Sequence, residues 1–313
     1  MVGRVVAAFP RQSQAHMAPA RLSRRATLRE AVSVSLAGGV MVLAGEEPGV
    51  RLGDIEAVHR ARVGTRRLRS DLQTLRPVLS RDWVDRTRQE LRWLATALGE
   101  VRDADVLLVE LRKQASQLAE IDRAAAGELI AELSLVRRAA HDRLQTVLDS
   151  DRYQALLAEL NGTALSPPFD LTAGEPDTPG RRVLRRLVRK PWRRLRSRVR
   201  GIGRHATDET LHTVRKRAKS VRYAAEMATP LLGKPARRLA REMETLQEVL
   251  GQLHDAVVAE AWLRRAGTTA GPTRALVAGE LVERERRRQS AYRQAWPRAS
   301  RKAARKRLRA WIW

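Results

Sequence analysis

Two short runs of basic residues carry the chemistry this sequence could perform. The first is His59, Arg62, Arg66, Arg69 and Arg76, and the second is His212, Arg215, Lys219 and Arg222. At about 100° per residue, each run falls on one flank of a helix. Successive turns rise about 5.4 Å, so each flank forms a ladder of cations able to engage a row of anionic oxygens. Arginine suits such a ladder, because its planar fork donates paired hydrogen bonds to phosphate and stays charged at any relevant pH. A histidine among arginines gains its proton more readily once an anion is bound. Surface arginines are usually compensated by a carboxylate one turn away. Here no acidic residue lies between His59 and Arg69, and none between His212 and Arg222.

The helices that must position these ladders are legible from the apolar spacing. Leu68, Leu72, Leu75 and Leu79 cluster beside the first ladder, and Val214, Ala218, Val221, Ala225, Ala228 and Leu232 supply a face beside the second. The two segments also match each other. Val58–Leu79 (VHRARVGTRRLRSDLQTLRPVL) aligns with Leu211–Leu232 (LHTVRKRAKSVRYAAEMATPLL), pairing His59 with His212, Arg62 with Arg215, Arg66 with Lys219, Arg69 with Arg222 and Pro77 with Pro230 at an offset of 153. Further on, Trp93–Arg112 aligns with Thr245–Arg264, pairing Gly99 with Gly251 and Asp103 with Asp255 at an offset of 152. Two collinear blocks at nearly one offset indicate an internal duplication, each copy a helical bundle.

Composition agrees with helices. Apolar residues make up 43% of the 313 residues but aromatics only 4%, so the core must be built from Leu, Val and Ala, which disfavours an all-β fold. The organisation expected is a disordered leader over 1–24, with Met17 as an alternative start, a first bundle over 25–160, a Pro/Gly-rich linker over 161–180 and a second bundle over 181–313. Smaller punctuation falls at Glu46–Gly53 and Gly267–Pro272. The apolar stretch Ala31–Gly45 is shorter than the roughly 20 residues needed to span a bilayer, so it reads as a core helix, and no membrane span is expected. The leader lacks the cleavage site of a signal peptide.

With 61 Lys and Arg against 35 Asp and Glu, the formal charge is +26, which favours an anionic partner that relieves self-repulsion. Nucleic acid, polyphosphate and anionic lipid all satisfy that sign. Absence of cysteine excludes disulfides, zinc–thiolate fingers and thiol catalysis. Two further segments are strongly basic. Arg181–Arg204 has twelve Lys or Arg and no acid, and Arg284–Arg309 has twelve against the single acid Glu285. These segments would widen the charged surface, bind nucleic acid or meet a membrane, or they are solvated faces.

Together the blocks VHRARVGTRRLRS, LGEVRDADVLL, LHTVRKRAKSVRY and LGQLHDA resemble those of CHAD domains, the conserved histidine α-helical domains, from about Thr27 to the C-terminus. The resemblance implies an all-α protein of two four-helix bundles related by pseudo-twofold symmetry. A basic pore or groove between them would bind inorganic polyphosphate, with association to polyphosphate granules in the cytoplasm. It carries over a ligand set of His59, Arg62, Arg66, Arg67, Arg69, His212, Arg215, Lys219 and Arg222, together with Arg102 and His254. Val63 stands opposite Lys216, and Arg67 opposite Ser220, so the halves need not contribute equally. Many members of the family also carry a CYTH triphosphatase barrel opened by Glu-x-Glu-x-Lys. The nearest string here, Glu283–Arg287, lies in a helical pattern and lacks the lysine.

Three rival readings remain. His141–Asp142 and His254–Asp255 are the adjacent pairs that metal-dependent phosphohydrolases use, but three of the six histidines lie in or beside the basic runs, and His205 and the leader's His16 lack partners. No metal, cofactor or catalytic residue is therefore expected, and the chain reads as a non-enzyme. Asp103, Asp105 and Asp255 are expected to cap helices or buttress arginines. Nonspecific nucleic-acid binding is the competing function, although the aromatic interleaving, zinc and leucine-zipper signatures of such proteins are missing. A scaffold role would use Trp296, Trp311 and Trp313 as exposed anchors.

Overall fold

The computed structural model describes residues 22–23, 25–203, 206–269 and 271–313. Most of the leader, with His16, lies outside these residues, as does His205. Leu22, assigned to the leader from sequence, packs against the core.

The described residues form helices α1 (Leu28–Arg51), α2 (Ile55–Leu75), α3 (Arg81–Ala115), α4 (Glu120–Leu148), α5 (Asp151–Leu165), α6 (Gly180–Val199), α7 (Asp208–Leu232), α8 (Lys234–Thr268), α9 (Pro272–Ala303) and α10 (Lys306–Arg309), with no β-strand among them. Four of these helices, α1, α2, α5 and α7, start at a side-chain cap. Thr27 and Glu30 close a capping box on α1, Asp54 accepts from the Glu56 and Ala57 amides of α2, and Thr207 accepts from the Thr210 amide of α7. Gly53, at φ 74°, makes the left-handed turn that separates α1 from α2.

In the first half α1 packs on α2, α2 on α3 and α3 on α4, while α5 fits against α1, α3 and α4. In the second half α6 packs on α7, α7 on α8 and α8 along α9. Across the halves α2 meets α7, α3 meets α8, α4 meets α9, and α1 meets α6 and α7.

Two apolar clusters hold these helices. The larger takes Leu68, Leu72, Leu75, Leu94 and Leu98 of the first half and Val214, Val221, Leu246 and Leu250 of the second. The smaller is built from the distal ends of the α3–α4 and α8–α9 hairpins: Leu108, Leu111, Leu129, Leu133, Leu263, Val277 and Leu281. Along α3 the first cluster ends at Val101 and the second begins at Leu108; along α8 the limits are Leu253 and Leu263. The stretches between them carry Arg102, Asp103 and Asp105, and His254 and Asp255.

Two segments differ from the expectation. Within Glu46–Gly53 the break falls only at the end, at Leu52–Asp54, since α1 runs through Pro48 to Arg51. Glu46 and Glu47 there bind Arg60 at 2.7 Å and Arg51 at 2.9 Å. The segment 161–180 begins helical, as the end of α5, and its remainder is docked. Pro168 accepts from the Ser80 amide, Pro176 and Thr178 from the start of α1, and Asp177 pairs with Arg29. Among described helices, α1 alone is long and apolar enough to cross a membrane, and its Leu28, Val32, Leu36, Val40 and Leu43 are buried in the larger cluster.

Candidate functional site

α2 and α3 run antiparallel, so residues early in α2 face residues late in α3. This brings Arg62 to Gly99 and Asp103. A Cβ at Gly99 would stand 2.7 Å from Arg62 Nη1, and Arg62 Nη2 lies 3.2 Å from Asp103. The second half repeats the arrangement, with Arg215 lying over Gly251, where a Cβ would stand 3.6 Å from its Nη2. At Gly99 the missing side chain makes room for the Arg62 guanidinium against α3, whereas at Gly251 Arg215 stands at ordinary contact distance. His212 and His254 approach with ring centroids 5.0 Å apart.

Because α2 meets α7 and α3 meets α8, the two sets of cations converge. Arg66 acts electrostatically on His59, Arg62 and Arg102 of its own half and on Arg215 and Lys219 of the other. The cluster is half-buried, and desolvation is the leading effect on every group whose titration is displaced. Burial, aided by Arg102, Arg66, Arg62 and Arg60, pushes His59 down to about 4. Burial, with Arg66, Arg215 and Arg62, pushes Lys219 down to about 6. His212 and His254 are lowered by burial and then by Lys216 and Arg215 respectively. Arg62, Arg102 and Arg215 are likewise lowered by burial, though an arginine keeps its charge.

Compensation is partial rather than nil. Asp103, its side chain 68% exposed, pairs with Arg62, while Asp255 is half-buried near Arg215 and is raised by desolvation. Five permanent or potential cations (Arg62, Arg66, Arg102, Arg215 and Lys219) and three histidines therefore gather beside Asp103 and Asp255, and Asp105 and Glu56 also act on Arg102. Buried donors and acceptors without protein partners include Arg62 Nη1, Arg66 Nε, Arg215 Nε and His212 Nδ1. Such groups are costly to leave unsatisfied, and anionic oxygens would satisfy them.

Three residues of the ligand set lie elsewhere. Arg222 is only 5% exposed, and its guanidinium bonds Glu226 at 2.7 Å and Glu244 at 2.8 Å. It is neutralised internally by the one-turn carboxylate that the acid-free run between His212 and Arg222 did not include. Arg67 lies 3.9 Å from Asp71, a fully buried carboxyl that accepts from Ser35 and is pushed up to about 7 by burial. Arg69 sits one turn past the cluster, where α3 presents Arg88 and Arg92 instead. Arg76 is bound by Asp85 through two nitrogens, at 3.0 and 2.6 Å.

Other candidates also resolve. Asp105 is buried and fixes Arg137 at 2.8 Å, and Arg137 in turn donates to the Gly53 carbonyl. The ring of His141 lies against the Val50 carbonyl at 3.1 Å. Among the described residues, no three His, Cys, Asp or Glu side chains converge as a metal site would require. Trp296 is a core residue, 3% exposed, because its face of α9 packs into the larger cluster; Trp313 is 54% exposed.

The CHAD domain family model matches residues 35–264, which spans both converging sets. The chain belongs to the CHAD domain family. It is 33% identical over 231 residues to two uncharacterized proteins of Mycobacterium tuberculosis, from the CDC 1551 / Oshkosh and ATCC 25618 / H37Rv strains. That match covers 71% of this chain and 43% of each relative, so the chain spans less than half their length. Among solved structures, the CHAD domain from the plant Ricinus communis aligns over 90% of this chain and 94% of its own, with a TM-score of 0.74 and 26% identity. PptA from Streptomyces chartreusis aligns over 88% and 99%, with a TM-score of 0.70 and 22% identity, a likeness of fold.

Proposed function

We propose that the chain binds inorganic polyphosphate, or a similar linear polyanion, in a basic cleft between two pseudo-symmetric helical bundles, and does so as a binding protein rather than an enzyme. The observation that carries this reading is the convergence of Arg62, Arg66 and Arg102 with Arg215 and Lys219, from both halves, beside unpartnered guanidinium and imidazole nitrogens. A thin chain of phosphates fits that requirement better than a compact ligand, because the cations are spread over three helices, α2, α3 and α7. It also fits better than a bulky duplex, because they are half-buried. The repeated Arg-over-Gly contacts and the matched Asp103 and Asp255 support an origin of the two bundles by duplication. The role that follows is association with polyphosphate granules in the cytoplasm.

The test is binding of defined-length polyphosphate to the wild type and to Arg62→Glu/Arg215→Glu. The account expects at least about a hundredfold weaker binding with helicity unchanged, because charge-assisted bonds become repulsion. Equal retention would refute it. Incubation with polyphosphate and Mg²⁺ or Mn²⁺ should release no orthophosphate, and turnover would overturn the binding-only role.

A further inference from the structure

The most basic helix of the molecule is not part of the cluster. α6 carries no acid along its length, and its Leu184, Leu187, Val188, Trp192 and Leu195 are buried. The opposite flank presents Arg182, Arg186, Arg189, Arg193 and Arg196, spaced by alternating steps of four and three residues. Arg182, Arg186 and Arg193 are exposed. At 1.5 Å per residue this ladder is about 21 Å long. Among the described residues, none of its arginines has a carboxylate partner. The Arg284–Arg293 stretch of α9 differs, since Arg284, Arg286, Arg287, Arg288 and Arg293 are each paired with Glu or Asp.

The surroundings extend the positive field. Arg200 at the end of α6 and Arg309 at the end of α10 press on Arg196 and lower it. Trp313 lies under Arg189 and Arg193, at 4.3 and 5.4 Å. Beyond the ladder, an open cavity of about 860 Å³ between the end of α6 and the first turns of α7 is lined by Arg194, Arg198 and Arg217. On α7, the cavity-lining Thr210, Thr213 and Arg217 lie across the helix from His212, Arg215 and Lys219, so this surface is separate from the cluster.

We infer that the outer flank of α6 is a second polyanion surface, one that docks the phosphate backbone of double-stranded nucleic acid without reading its sequence. A membrane fits poorly, because interfacial helices bury an apolar face in lipid and that face of α6 is spent on the core. A duplex fits because the ladder is exposed and about as long as six base pairs at 3.4 Å each. Arginines held at the surface reach a rigid, bulky rod that the half-buried cluster excludes.

The experiment measures a short random-sequence DNA duplex, defined-length polyphosphate and phosphatidylglycerol vesicles side by side. They are titrated against the wild type, Arg182→Glu/Arg186→Glu/Arg193→Glu and the milder Gln triple, with helicity as the fold control. Duplex affinity should fall at least about tenfold in the Glu triple and less in the Gln triple. The slope of log affinity against log salt should become shallower by about 2.7, from three lost phosphate contacts. Arg62→Glu/Arg215→Glu should keep the duplex. The inference is overturned by absent duplex binding in the wild type, by unchanged duplex affinity in both triples, or by vesicle or polyphosphate binding that is lost in their place.

Discussion

Lys219 is the residue whose environment departs furthest from its chemistry in water. Burial and three arginines hold it near 6, against an ordinary value of 10.5. Between those values the unfolded chain binds the proton that the folded chain refuses, so through this group ligand-free stability rises with pH across that window. Lys219→Met should flatten that rise and lift the melting temperature at neutral pH by a few degrees. Thermal unfolding from pH 6 to 9 checks it, and an unchanged profile would mean that the amine is hydrated. Phosphate binding reverses the preference, so His59 and Lys219 should take up protons on binding, and affinity should climb as pH falls from 8 to 5. Titrations in buffers of different ionisation heat would report the uptake. Arg222 behaves differently: Arg222→Ala should cost roughly 3 kcal/mol of stability by stranding Glu226 and Glu244, while leaving polyphosphate affinity nearly unchanged. Sequence placed Arg222 with the ligands because the run it ends has no acid, yet Glu226 stood one turn beyond. Glu244 arrives from α8, a tertiary contact that no local pattern encodes.

At the scale of the helix pair, Gly99 and Gly251 hold matched positions with different tolerances. A methyl at Gly99 would press on Arg62 at 2.7 Å, whereas one at Gly251 meets Arg215 at an ordinary 3.6 Å. Gly251→Ala should therefore stabilise the protein by about 0.5–1 kcal/mol through helix propensity with no change in binding. Gly99→Ala should weaken polyphosphate binding severalfold, because the Arg62 guanidinium must move. Denaturant unfolding and binding of the two variants separate these outcomes. The pairing of the two glycines was legible from the offset of 152 alone. The ladder on α2 was legible too, but its division was not. Antiparallel α3 sets Asp103 against Arg62 and Arg88 against Arg69, so one stripe serves two environments. Punctuation was legible over Glu46–Gly53 but not its exact place, since α1 continues through Pro48 to Arg51, whose side chain is held by Glu47 and Asp149.

For the molecule as a whole, the decisive feature is that its apolar interior is divided. Leu108 and Leu263 belong to a second cluster of helix ends far apart in sequence, and the charged groups of α3 and α8 lie between the clusters. All-α class and family were readable from composition and motifs. This division was not, because it depends on how two long hairpins meet. A formal charge of +26 with a half-buried cationic centre should make the folded state responsive to polyanion, with thermal stability rising as polyphosphate saturates it. The most direct measurement is a crystal structure of the protein with polyphosphate of defined length. The account predicts a row of phosphates beside Arg62, Arg66, Arg102, Arg215 and Lys219, running between the halves. Phosphates confined to the outer flank of α6 at saturating ligand, with that centre vacant, would contradict it.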